Sequence, residues 1–166
     1  MYKIINLFIK IFHNYFELTI LVSSLLIIFL AIIMDSFLSL QACPLCILTR
    51  YVFLLIGISA AVGLFTKKNI GKYLIILSSL IGLFVTSRQI YIQNMSIEQI
   101  TELSGCSMPF HTQIDYFGLI EAVKNTISGG PSCAEDGLRL ILNFAEWGFL
   151  FFFIYLTFTL LKLRNS

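Results

Sequence analysis

The chain has 166 residues, enough for one domain. Apolar residues make up 58% of it and charged residues only 12%, whereas a typical soluble domain is about 25% charged. So few charges cannot cover the surface of a soluble domain of this size, and a net charge of +2 gives no reason to expect a polyanionic partner. The composition therefore predicts an integral membrane protein in contact with the lipid bilayer. It excludes a soluble domain, a disordered chain and a nucleic-acid binder.

Four stretches of the chain come close to the roughly 20 apolar residues that a helical membrane span needs. The spans are predicted at 16–34, 44–65, 73–92 and 140–161. They leave connecting segments at 35–43, 66–72 and 93–139. The expected fold is therefore all-α, with one integral membrane domain over 1–166 that forms a four-helix transmembrane bundle.

The basic residues are unevenly distributed between the two sides of these spans. One side carries Lys3, Lys10, Lys67, Lys68, Lys72, Lys162 and Arg164. Most acidic residues lie on the other side, in 35–43 and 93–139. Because cytoplasmic segments of membrane proteins are enriched in Lys and Arg, both termini and loop 66–72 are predicted to be cytoplasmic. The two acidic loops are predicted to face outward.

The long outward loop contains a candidate amphipathic helix. Apolar residues recur there at helical spacing: Ile114, Phe117, Ile120, Val123 and Ile127. This pattern indicates either a helix that lies on the outer leaflet or one that packs on the ends of the spans. Gly129-Gly130-Pro131 follows and ends any helix, as a flexible hinge or as a plain turn.

A C-x-x-C motif, Cys43-Pro44-Leu45-Cys46, opens the second span. Pro44 suits the first helical position, which would place Cys43 near the N-cap and Cys46 one turn inside the helix. A helix N-terminus stabilises a thiolate, and a disulfide that closes so short a loop adds little stability. The motif therefore favours a redox-active pair over an inert disulfide or a metal ligand.

The other two cysteines, Cys106 and Cys133, lie in the long outward loop. From spacing alone, a stabilising disulfide and a redox role are equally good interpretations, and four cysteines allow three pairings. Four-cysteine zinc sites usually carry two short C-x-x-C knuckles, and only one is present here. No metal site is therefore predicted.

Two arginines are predicted near the outward ends of spans. Arg50 lies four residues after Cys46 and so shares a helix face with it, one turn deeper. Because a charge inside a span costs about 2.5–3.5 kcal/mol, we interpret Arg50 as functional, holding a thiolate or another developing anion. The alternative is an arginine that extends to the headgroups, which is the interpretation favoured for Arg88.

In the order of these features, the chain resembles the DsbB family of bacterial inner-membrane disulfide-forming proteins. The resemblance rests on the run from Cys43 to Arg50, on the second outward cysteine pair, and on Cys133-Ala134-Glu135 ahead of the fourth span. It covers nearly the whole chain. It implies a thiol oxidoreductase that reoxidises a periplasmic, thioredoxin-fold oxidase of the DsbA type and passes the electrons to the membrane quinone pool, as ubiquinone or menaquinone.

The resemblance also implies a role for each site residue. A thiolate of the partner would attack Cys106, the freed Cys133 would attack Cys43, and Cys46 would be released beside a quinone held by Arg50. Some members carry a histidine near the outward end of the third span. The corresponding segment 89–94 has none here, and Gln93 is expected as an additional quinone contact.

Two other functions are compatible with parts of this pattern. Vitamin K epoxide reductase-like proteins are also four-helix, quinone-linked thiol oxidases, but in them the long loop with its cysteine pair precedes the C-x-x-C motif. The order is reversed in this chain. A small membrane subunit with structural disulfides and no catalytic role is the non-enzymatic alternative.

Overall fold

The computed structural model describes residues 15–38, 43–66, 69–101, 110–130, 133 and 143–164. These residues form seven helices, numbered here in chain order. They are α1 (Phe16–Leu38), α2 (Pro44–Thr66), α3 (Ile70–Gln93), α4 (Ile97–Thr101), α5 (Phe110–Phe117), α6 (Leu119–Ser128) and α7 (Phe144–Arg164).

Helices α1, α2, α3 and α7 are long and apolar enough to cross a membrane. Each has 21–24 residues, which at about 1.5 Å per residue matches a hydrocarbon core about 30 Å thick. The predicted all-α bundle with four spans is therefore confirmed. The first helix runs to Leu38, past its predicted end at residue 34, and Asp35 in this extension pairs with Arg50 of α2.

The spanning helices pack in chain order. Helix α2 packs against both α1 and α3, and α3 packs against α7. All four helices contribute to one buried cluster: Phe16, Ile20, Val52, Phe53, Ile56, Ala60, Ile75, Phe152 and Tyr155. The rings of Phe53 and Phe152 stack at 4.3 Å, and the hydroxyl groups of Ser23 and Tyr155 are hydrogen bonded at 2.8 Å. Helix α7 thus contacts α2 through the stacked rings and α1 through the hydroxyl pair.

The surface of the bundle suits a lipid environment. Large apolar side chains such as Phe29, Phe65 and Phe84 are exposed along the spanning helices. Several hydroxyl groups inside the spans donate to carbonyls of their own helix, as Thr49 does to Leu45 and Thr86 does to Gly82. Because lipid offers no hydrogen-bonding partner, polar groups of a span must be satisfied within the protein in this way.

The amphipathic segment of the long loop forms two helices where a single one was predicted. Gly118 separates α5 from α6 with a φ of 80° and a ψ of 166°, a conformation available essentially only to glycine. The predicted apolar face is therefore interrupted, and Ile120 is 85% exposed. Ala122 and Thr126 are the buried side chains of α6.

Candidate functional site

The first turn of α2 positions the C-x-x-C cysteines. Pro44 is the first helical residue, as predicted, and Cys43 precedes it as the N-cap. The backbone N–H of Cys46 donates to Cys43 Sγ at 3.2 Å, and that of Ile47 donates to the Cys43 carbonyl at 3.1 Å. A cysteine sulfur thus takes the place of the usual capping oxygen and lies at the positive end of the helix.

Three sulfur atoms meet at this end of the bundle, which we call the cysteine end and define by Cys43, residues 44–50 of α2 and residues 85–93 of α3. Cys43 Sγ lies 2.9 Å from Cys46 Sγ and is also hydrogen bonded to the buried Cys133. The hydrogen bond to Cys133, followed by the one to Cys46 and by burial, raises the pKa of the Cys43 thiol above its usual range. Cys43 is therefore the sulfur that contacts both Cys46 and Cys133.

Apolar side chains surround these sulfurs. Leu45, Val85 and Ile92 are buried with Cys133 in a second hydrophobic cluster, and Cys43 and Leu48 pack against it. The cluster joins the beginning of α2 to the end of α3. It restricts water around Cys133 and leaves Cys43 and Cys46 partly accessible.

A tight turn brings Cys133 to this place. Gly129 has a φ of 80°, and its Cα faces the Ile92 side chain so closely that a Cβ there would collide with it. The Cys133 N–H then donates to the Gly130 carbonyl at 2.9 Å. Gly129 and Gly130 are both buried.

Arg88 fixes the end of α6 from which this turn departs. Its Nε donates to the Ile127 carbonyl at 3.1 Å and its Nη2 to the Ser128 carbonyl at 3.0 Å. These are C-terminal carbonyls of a helix, which a cation stabilises. The guanidinium also lies 5.4 Å from the ring centre of Tyr91. The prediction that Arg88 simply extends to the headgroups was therefore wrong, because its partners come from a segment distant in sequence.

Arg50 is held by a carboxylate from the neighbouring helix. Its Nη1 lies 2.6 Å from Asp35 Oδ2, and both side chains are about a quarter exposed. Arg50 also interacts electrostatically with Cys46, whose helix face it shares. Asp35 was counted only among the acidic residues of the outward side, since nothing in its spacing indicates this partner.

Gln89 is a site residue that sequence reasoning missed. It lies on α3, is only 2% exposed, and its Nε2 donates to Cys46 Sγ at 3.0 Å and to Cys43 Sγ at 3.9 Å. The sequence signal was a polar side chain inside a span, where such residues are costly and usually functional.

Gln93 and Cys106 complete the predicted set. Gln93 lies one turn after Gln89, and its Oε1 accepts a hydrogen bond from Asn143 Nδ2 at 2.9 Å. Asn143 in turn caps α7, exchanging hydrogen bonds of 2.9 Å with Glu146. Gln93 thus ties α3 to the beginning of α7. Cys106 lies outside the described residues.

The family model for the disulfide bond formation protein DsbB matches residues 13–162 of the chain. The chain belongs to the DsbB family. Family membership identifies it as an oxidoreductase of disulfide bond formation, and together with the four apolar helices it identifies a multi-pass protein of the bacterial inner membrane.

Several curated proteins resemble the chain over most of its length. A disulfide bond formation protein B of a Polaromonas species is 31% identical over 118 residues, which cover 68% of each chain. Disulfide bond formation protein B 1 of Pseudomonas aeruginosa is 27% identical over 138 residues, 80% of this chain and 83% of the relative. No solved structure matches the chain significantly.

Proposed function

We propose that the chain reoxidises a soluble, thioredoxin-fold dithiol oxidase of the DsbA type and transfers the two electrons to a membrane quinone. The observation that carries this proposal is the position of Cys43, which is hydrogen bonded to both Cys46 and Cys133. A sulfur in contact with members of both pairs can exchange disulfides with either. A small membrane subunit with purely structural disulfides has no need of such a junction.

The proposed sequence of thiol exchange conserves electrons at each step. A thiolate of the reduced partner attacks Cys106 of a Cys106–Cys133 disulfide, and the electron pair of the broken bond leaves on Cys133. The Cys133 thiolate attacks Cys43 of a Cys43–Cys46 disulfide, and Cys46 leaves as a thiolate. The second partner thiolate displaces Cys106 from the mixed disulfide, so the partner departs oxidised.

The cysteine end has the chemistry that a quinone requires. A quinone is an apolar ring with carbonyl oxygens, so its site needs N–H donors set in an apolar surrounding. Arg50 supplies guanidinium donors next to Cys46, Leu48 supplies apolar surface, and the amide of Gln93 is a further donor. A bound quinone, ubiquinone or menaquinone, supplies the two-electron acceptor for the sulfurs.

The orientation of the chain belongs to the same proposal. The Lys and Arg residues around 66–72 and at the two termini support a cytoplasmic position for those segments. The cysteine end then faces the periplasm, where disulfides persist and a soluble partner has access to them.

The proposal predicts that thiol oxidation by the full chain depends on quinone. The purified chain in lipid nanodiscs, kept free of oxygen, should oxidise a reduced DsbA-type protein only after addition of a short-chain ubiquinone, with one quinone reduced per dithiol. Thiol content and quinone absorbance are measured together. Cys106→Ser should abolish partner oxidation. Equal oxidation with and without quinone, or none at all, would contradict the proposal.

A further inference from the structure

Gln89 contacts the reacting sulfurs and has no role in the steps described so far. Its amide nitrogen lies 3.0 Å from Cys46 Sγ and 3.9 Å from Cys43 Sγ, so it favours one sulfur of the pair. The side chain is almost completely buried on α3, a helix that packs against α2.

We propose that Gln89 is a catalytic residue that donates its amide N–H to Cys46 and thereby stabilises Cys46 as the leaving thiolate, which directs the attack of Cys133 to Cys43. This inference rests on the proposed function. In the step concerned, the Cys133–Cys43 bond forms, the Cys43–Cys46 bond breaks, and the electron pair of the broken bond goes to Cys46 Sγ. The attacking group is already a thiolate, so no proton is released.

The geometry separates the two sulfurs of the C-x-x-C pair chemically. An N–H donor stabilises a neighbouring thiolate, and the benefit is largest where water is scarce. Cys46 has this donor at short distance and Arg50 on its helix face. Cys43 accepts the backbone N–H of Cys46 at 3.2 Å, but its hydrogen bonds to two thiols and its burial raise its pKa and make it the poorer leaving group.

A neutral donor suits this role better than a second cation. Arg50 already carries the positive charge at this end, and another buried cation would repel it. A glutamine amide donates a hydrogen bond to one particular sulfur, Cys46 Sγ, without adding charge. The role is therefore distinct from that of Arg50.

The test uses the reduced, quinone-free full chain and compares how fast iodoacetamide modifies Cys46 and Cys43, measured by peptide mass spectrometry. Gln89→Met keeps the length of the side chain and removes the donor. It should lower the ratio of Cys46 to Cys43 modification about tenfold, the size expected for one hydrogen bond to a charged group. Gln89→Asn, which keeps the amide but withdraws it by one methylene, should lower the ratio in the same direction.

Thr86→Val is the matched control, since Thr86 is a buried polar residue on the same helix whose hydroxyl donates within that helix. Its ratio should equal that of the unmodified chain. A role limited to packing would change both cysteines alike, so an unchanged ratio in Gln89→Met and Gln89→Asn overturns the inference. Failure of the proposed function would appear elsewhere, as loss of quinone-dependent thiol oxidation by the unmodified chain.

Discussion

The ion pair between Arg50 and Asp35 places a positive charge beside the reactive sulfurs without leaving it unpaired. An isolated arginine within a span is costly, and a carboxylate from the next helix offsets part of that cost. Because both side chains are partly exposed, the pair contributes only about 1 kcal/mol. Its main consequence is geometric, since the contact holds one edge of the guanidinium and leaves the other N–H groups available for a ligand.

Loss of Asp35 should therefore impair quinone use without affecting thiol exchange. Asp35→Asn is expected to raise the KM for short-chain ubiquinone about fivefold, corresponding to about 1 kcal/mol. Arg50→Met should have a larger effect on the same parameter. Formation of the mixed disulfide with the partner should be unchanged in both variants.

Glu121→Gln provides the matched control for Asp35→Asn. Glu121 also pairs with a cation, Lys124 at 3.7 Å, but on an exposed helix surface. It should leave quinone kinetics unaltered. If Asp35→Asn behaves like this control, the carboxylate does not orient Arg50.

Single residues could be predicted from the sequence where their neighbours are local. Helical spacing alone correctly placed three residues at the beginning of α2, since they lie within about two turns of each other: Cys43, Pro44 and Arg50. Asp35 and Gln89 act through helices α1 and α3 on groups of α2. Their partners depend on how the helices pack, which no spacing within one segment specifies.

At the level of elements, α6 and the turn after it determine where Cys133 lies. Arg88 binds the last carbonyls of α6, and Gly129 then turns the chain against Ile92. Both anchors belong to α3, the helix that also carries Gln89. One helix thus contacts both the C-x-x-C sulfurs and the segment next to Cys133.

Gly118 and Gly129 have the same φ of 80° but different surroundings. Substituting each one therefore distinguishes the effect of backbone strain from the effect of close packing against Ile92. Gly118→Ala should cost about 1–3 kcal/mol of stability through its conformation alone, since the space around it is open. Gly129→Ala should cost more because its methyl group meets Ile92, and it should also slow formation of the Cys43–Cys133 disulfide. Thermal melting and disulfide trapping measure the two effects. Equal behaviour of the two variants in both measurements would contradict the role of Gly129 in placing Cys133.

The apolar spacing in this part of the loop predicted one helix, but it could not show that the segment divides into two helices at Gly118. It extends across Gly118 without interruption, whereas the backbone there adopts a positive φ that ends α5. The buried face of α6 carries Ala122 and Thr126. Residues this small give little pattern in a sequence, yet they allow a helix to pack closely.

For the whole molecule, composition and span length were enough to predict an all-α bundle of four membrane helices. Long apolar runs have few alternatives in a bilayer, because every backbone polar group must be paired. Composition and span length do not predict which of the four helices pack against each other. The order of packing follows from contacts between distant residues, such as Phe53 with Phe152 and Ser23 with Tyr155, and it brings Cys43, Cys46 and Cys133 to one end.

The central claim is that Cys43 joins the two cysteine pairs, and disulfide mapping tests it most directly. The full chain without quinone, mixed with one equivalent of the reduced partner and quenched with acid, should yield a peptide pair linked through Cys43 and Cys133, with Cys46 recovered as a thiol. Addition of quinone should remove that pair and restore a Cys43–Cys46 link. If Cys133 is never found linked to Cys43 while the partner is still oxidised, electrons reach the quinone by another route and the account is wrong.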